Sequence, residues 1–130
     1  MNLSGTSLGS EDLQKFAELL KKGDYRFLQN LDVSNNRLHG VIAGQAVKSL
    51  LTREIDPSLG YNLQTLNLSQ NKIKNDGVEL IFEALTSPAC YLKHLYIKCI
   101  DITYVAGIVV VPPVQLTIKT RLETLVLDEN

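Results

Sequence analysis

The chain has 130 residues, of which 45% are apolar and 21% are charged, and its formal net charge is −1. That length suits a single domain with a sizeable core. The near-neutral charge gives no reason to expect nucleic acid or an anionic membrane as a partner. The most apolar run, residues 104–111, is far shorter than the roughly 20 residues that a membrane-spanning helix needs.

The N-terminal residues and the cysteines favour a cytoplasmic protein without a cofactor. Residues 1–5 are polar and lack the charged-then-apolar order of a secretory signal. Cys90 and Cys99 are too few for a secreted disulfide scaffold of this length. Their spacing with His94 matches no usual zinc pattern. We therefore expect reduced, partly buried thiols, no metal or other cofactor, and a cytoplasmic location.

A motif of apolar residues recurs along the chain. Residues 28–38 read L-x-x-L-x-V-x-x-N-x-L, and residues 63–73 repeat it with Ile in the last position. Residues 92–102 fill the same slots a third time, residues 122–130 begin a further copy, and residues 1–8 fit the second half of an earlier one. Equivalent positions are 30, 35, 29 and 30 residues apart, at Met1, Leu31, Leu66, Leu95 and Leu125.

The first interval between motif copies predicts a helix. Ser10 can cap this helix, and Glu11 and Asp12 suit the positive end of its dipole. Residues 21–22 are lysines that suit the last turn, and Gly23 can terminate the helix. The predicted apolar face comprises Leu13, Phe16, Ala17 and Leu20.

Each complete copy of the motif predicts a short strand followed by an asparagine. Leu31 and Val33 alternate with Asp32, which gives the strand one apolar face. Stacked copies can bury these faces in a parallel sheet with a continuous core. Asn36 and Asn71 follow the strands, where their amides can satisfy backbone groups of neighbouring turns.

The second and third intervals also predict helices. The second helix has a predicted buried set of Ile42, Ala46, Val47, Leu50 and Leu51. In the third interval, Asn75 or Asp76 can cap a helix that ends before Pro88. The buried set of that helix comprises Val78, Ile81, Phe82, Ala84 and Leu85.

Two segments depart from the regular motif. The second repeat is longer, and its surplus falls in residues 52–61, which form either a solvated loop or a partner-specific contact. Residues 103–120 combine a β-branched run with two prolines, which favours an extended or irregular, aggregation-prone segment over a helix. Ile100, in the same repeat, cannot replace the motif asparagine, whereas Thr6 can do so in part.

These motifs resemble the leucine-rich-repeat family, and they are most similar to its ribonuclease-inhibitor-like class. The resemblance covers nearly the whole chain apart from residues 103–120. It implies one α/β domain over residues 1–130, a horseshoe-shaped solenoid segment of about four repeats with partial copies at both ends. Short parallel strands would line its concave face and helices its convex face, and the motif asparagines would form a ladder.

The resemblance also implies protein–protein recognition through the concave face. The non-leucine strand residues would form columns there, the middle one holding Asn2, Asp32, Asn67, Tyr96 and Val126. Interface hot spots favour aromatic and charged groups. The predicted partner-binding residues are Asp32, Asn67, His94, Tyr96 and Lys98. The alternative is that these positions are ordinary solvated repeat surface.

Binding of another protein is the leading functional hypothesis from the sequence. Catalysis is disfavoured because the chain has no G-x-S-x-G elbow, P-loop or H-E-x-x-H motif. An alternative by analogy is a scaffold or regulator of the cytoskeleton or of a small GTPase. Because no polar cap sequence is visible, we expect part of a longer array, or self-association through exposed end residues: Met1, Leu3, Leu8, Leu122, Leu125 and Leu127.

Overall fold

A computed structural model describes residues 1–21, 28–52, 63–88, 90–98 and 123–126 of the chain. Helices and short strands alternate along these ranges: α1 (Ser10–Lys21), β1 (Asn30–Asp32), α2 (Gly40–Leu51), β2 (Thr65–Asn67), α3 (Lys74–Leu85), β3 (His94–Tyr96) and β4 (Thr124–Val126). The predicted alternation of strand and helix is therefore confirmed wherever the structure describes the chain.

The strands form one parallel sheet in the order β1-β2-β3-β4. The register aligns the equivalent leucines of the motif: Leu31, Leu66, Leu95 and Leu125. A further parallel bridge pairs Asn2 with Asp32, so the earlier partial copy continues the same ladder. The motif spacing thus predicts the strand register, and the longer second repeat does not shift the pairing of β1 with β2.

The central leucines of β1, β2 and β3 face the helices. Leu31, Leu66 and Leu95 are at most 2% exposed, whereas the residues beside them are half-buried or exposed. Helix α2 packs against both α1 and α3, and the apolar faces of these helices share one core with the leucines. Burial of each such leucine contributes roughly 1.5–3 kcal/mol. The opposite side of the sheet is left open.

Asn36 connects the first complete repeat to the partial copy before it. Its Nδ2 donates to the carbonyls of Leu3 and Val33, at 2.9 and 3.0 Å. Its Oδ1 accepts the backbone N–H groups of Thr6 and Leu8, at 3.0 and 2.9 Å. One amide side chain therefore satisfies backbone groups of two successive turns.

Asn71 repeats this arrangement one repeat later and is only 3% exposed. Its Nδ2 donates to the carbonyls of Val33 and Leu68, and its Oδ1 accepts from the N–H groups of Asn36 and Leu38. These bonds confirm the asparagine ladder implied by the motif.

Thr6 takes the place of the motif asparagine in the partial copy. Its hydroxyl donates to the carbonyl of Leu3 at 2.8 Å. That bond is the counterpart of the one that Asn36 makes to Val33 within its own turn. The prediction that Thr6 imitates the asparagine in part is therefore confirmed.

The predicted buried face of α2 is wrong at its start. Ile42 is 40% exposed, and Ala43 and Gly44 are buried instead. The cause is a close approach to α3, because a Cβ atom on Gly44 would lie 2.5 Å from the carbonyl oxygen of Gly77. Small residues must occupy this contact, so α2 turns its first apolar pair, Val41 and Ile42, towards solvent.

Two predicted helix caps also differ from the structure. Helix α1 begins at Ser10 itself, and the Ser10 hydroxyl accepts the N–H of His39 at 3.0 Å, which joins it to the next repeat. Helix α3 begins at Lys74, before Asn75 and Asp76, with no side-chain cap hydrogen bond. The buried set predicted for α3 is confirmed in full.

The N-terminal apolar residues Leu3 and Leu8 are less exposed than predicted. Met1 is 49% exposed, but Leu3 and Leu8 are partly buried and pack against the core, as does Leu125. The Leu3 N–H donates to the carbonyl of Asp32 at 2.7 Å, which draws this segment onto the first complete repeat.

Other predictions concern residues outside the described ranges. These are Lys22, Gly23, residues 53–62, Cys99, Ile100, residues 103–120, Leu122 and Leu127, together with the side chains of Leu20 and Lys21. In α1, Leu13 and Ala17 are buried as predicted, and Phe16 is partly buried against the core. No helix that the structure describes is long and apolar enough to cross a membrane.

Candidate functional site on the open sheet face

The side of the sheet that the helices leave uncovered carries the residues that flank the central leucines. We call it the open sheet face. The register places its first column at Asn30, Thr65, His94 and Thr124. It places the middle column at Asn2, Asp32, Asn67, Tyr96 and Val126. These are the columns that the motif predicts.

The polar residues of the middle column share a structural task. Asp32 Oδ1 accepts the N–H of Ser34 at 2.9 Å, and Asn67 Oδ1 accepts the N–H of Ser69 at 3.0 Å. Such side-chain turns stabilise the point where the chain leaves a strand. This role was not predicted from the sequence, although the recurring Asx-x-Ser spacing is its signal. The other carboxylate oxygen of Asp32 accepts no hydrogen bond within the described part of the chain.

Three of the five predicted partner-binding residues come together in one hollow. Asp32, Asn67 and Tyr96 line it, and its cavity volume is about 190 Å³. They come from three successive strands, and the parallel pairing fixes their order. A carboxylate, an amide and an aromatic ring can together hold a cationic or amide side chain.

His94 lies in β3 and Lys98 lies in the turn that follows β3, but neither is among the described residues that line the hollow. His94 Nε2 lies 3.9 Å from Glu123 Oε2, so the protonated imidazole can form an ion pair there. The backbone N–H of Lys98 donates to Ser69 Oγ at 3.0 Å. Glu123 was not predicted as a site residue, although it directly precedes β4, the strand that pairs with the strand of His94.

No metal cluster is formed by the residues whose placement is described: they contain no group of three or more His, Cys, Asp and Glu side chains that could hold an ion. Cys90 is 2% exposed, in agreement with a buried thiol.

Parallel three-residue strands, helices on one side and a shared asparagine ladder define an α/β repeat solenoid. Two family models described as leucine-rich repeat match residues 27–45 and 62–82. The chain is also similar to the human NACHT, LRR and PYD domains-containing protein 14, with 31% identity over 103 residues. That alignment covers 79% of this chain and 9% of the relative's length. These matches support a leucine-rich-repeat family for this chain.

The leucine-rich-repeat fold indicates which classes of function suit this chain. Leucine-rich-repeat domains generally mediate protein–protein interaction, and they are typically modules without catalytic activity. The properties of the open sheet face that matter for binding are its shape, its rigidity and the functional groups that it exposes.

Proposed function

We propose that this chain is a protein–protein interaction module whose partner binds the open sheet face. The observation that carries the proposal is the hollow formed by Asp32, Asn67 and Tyr96. It lies over the middle of the sheet and offers charged, amide and aromatic groups within one small volume. Aromatic groups packed beside polar ones are typical of the residues that dominate binding energy in interfaces.

The rigidity of the hollow supports the same function. Asp32 and Asn67 are held by their turn bonds to Ser34 and Ser69, and their backbones are paired in the parallel sheet. Side chains that are already ordered lose little conformational entropy when a partner binds. The negative charge of Asp32 and the Tyr96 ring, which lie two strands apart in the same hollow, favour a partner that inserts a lysine or arginine side chain.

The test is affinity capture from cell lysate with two variants of the open sheet face. Asp32→Asn removes the charge but keeps the Oδ1 acceptor that Ser34 needs, and Tyr96→Ala removes the ring. Each variant should reduce capture of a specific partner by roughly tenfold or more. Actin and small GTPases are offered directly in the same assay, because the alternative function as a regulator would use one of them.

Glu79→Gln is the matched control, because Glu79 is exposed on α3, on the helix side. It removes one negative charge, as Asp32→Asn does, and should leave capture unchanged. Unchanged circular dichroism confirms that each variant is folded. Equal capture by the wild type and both variants of the open sheet face would contradict the proposal.

A further inference from the structure

A second, larger cavity lies where the chain passes from the strands to the helices. Its volume is about 880 Å³, within the range of ligand-binding clefts. Four of the eight residues described as lining it are basic: Arg37, His39, Lys72 and Lys74. None of those eight is acidic, and none lines the hollow on the open sheet face. We call it the basic edge cavity.

Backbone pairing fixes the basic residues beside one another. A parallel bridge sets Lys72 opposite His39, with the Lys72 N–H donating to the carbonyl of Leu38 at 2.9 Å and the Gly40 N–H donating to the carbonyl of Lys72 at 3.2 Å. A second bridge pairs Arg37 with Gly9. The pairing thus brings basic residues of two successive repeats to one edge, where Arg37 and Lys72 can attract an anion.

Two acidic residues near the cavity in the described part of the chain, Asp12 and Asp76, do not contribute to its lining. Asp12 Oδ2 accepts the N–H of Gly9 at 3.0 Å, and Asp76 is exposed in the first turn of α3. The chain as a whole carries a net charge of −1, so the positive charge is a local property of this edge.

An exposed apolar pair adjoins the basic residues. Val41 is 43% exposed and Ile42 is 40% exposed, and both belong to the first turn of α2, directly after His39 and Gly40. Helix α2 has no acidic residue in that turn. A partner that fits both features carries carboxylates for the cavity and an apolar side chain for Val41 and Ile42.

We infer that the basic edge cavity binds an acidic segment of another protein, independently of the open sheet face. Arg37 presents a planar fork that matches a carboxylate with two parallel hydrogen bonds. Lys72 adds a point charge beside it, and Val41 with Ile42 covers an apolar side chain of the same segment. The apolar pair selects a peptide over a nucleic acid, whose outer surface is a row of phosphates.

Fluorescence anisotropy with a short labelled peptide of glutamates and two leucines tests this inference. The wild-type chain should bind the peptide, and added NaCl should weaken binding because salt screens the charges. Arg37→Glu with Lys72→Glu should weaken binding by about tenfold or more. Arg37→Gln with Lys72→Gln adds no negative charge and should also weaken peptide binding. This neutral variant serves as the test if the charge-reversal variant fails to fold.

Lys15→Glu with Lys93→Glu is the matched control, since both lysines are exposed and neither lines the cavity. It changes the net charge by the same amount and should keep peptide binding. Asp32→Asn should keep it too, which separates this surface from the open sheet face. Absence of binding, equal loss in the control, or equal binding of a glutamine version of the peptide would overturn the inference. Tighter binding of a DNA duplex would also overturn it.

Discussion

Asn71 contributes to stability through the groups that it satisfies rather than through its own burial. Its amide bonds to backbone groups on both its own turn and the preceding one. The sequence predicts this residue because the motif places an asparagine after β1 and again after β2. Asp32 is not predicted as fully, since its turn bond to Ser34 and the accessibility of its half-buried charge depend on side-chain geometry that a repeat pattern does not specify.

We predict that Asn71→Ala strongly destabilises the chain. The substitution leaves the N–H groups of Asn36 and Leu38 and the carbonyls of Val33 and Leu68 without this partner. Each unsatisfied buried group costs about 1–3 kcal/mol, so the free energy of unfolding should fall by roughly 3 kcal/mol or more. Urea denaturation measures it. Gln70→Ala, at an exposed neighbouring position, is the control, and equal losses in both variants would refute the ladder's role.

At the scale of elements, α2 and α3 pack through glycine. The sequence predicted the buried set of α3 correctly because its apolar residues recur with clear helical spacing. The prediction failed for α2 because Ile42 follows the same spacing, while the deciding feature is the contact of Gly44 with Gly77. A hydrophobicity pattern does not reveal that the backbones of two helices come into direct contact.

We predict that Gly44→Ala destabilises the chain although alanine is the better helix former. Intrinsic propensity alone would favour alanine by about 1 kcal/mol. The added Cβ would meet the carbonyl oxygen of Gly77 at 2.5 Å, and forcing the helices apart should cost about 1–3 kcal/mol. Thermal unfolding followed by circular dichroism measures the balance. Gln45→Ala, exposed on the same helix, should have little effect. A higher melting temperature for Gly44→Ala would show that the contact relaxes freely.

At the scale of the whole molecule, one core joins the successive repeats. Leu66 lies at the centre of β2, between Leu31 and Leu95, and is fully buried. The fold and the order of the columns were predictable because both follow from the motif period. The hollow and the basic edge cavity were less predictable, because the motif aligns Asp32, Asn67 and Tyr96 but does not show that they line one open hollow.

We predict that Leu66→Ala lowers the stability of the whole repeat array by about 2–5 kcal/mol, because a cavity would open between adjacent repeats. Guanidinium denaturation should show a lower midpoint for helix and tertiary signals together. Leu19→Ala removes the same number of atoms from a side chain that is 47% exposed and should change the midpoint little. Loss of the tertiary signal alone would argue against a shared core.

The register of the sheet has a consequence for how recognition can change over time. Each repeat supplies one residue to each column, and a buried leucine separates the two columns. Under the proposed function, a substitution at Asn67 or Tyr96 would therefore alter what the surface selects while Leu66 and Leu95 keep the scaffold intact. Duplication of a repeat would lengthen the surface by one residue per column. Under the proposed function, the residues of the two columns could therefore be exchanged independently, and binding specificity would change one position at a time.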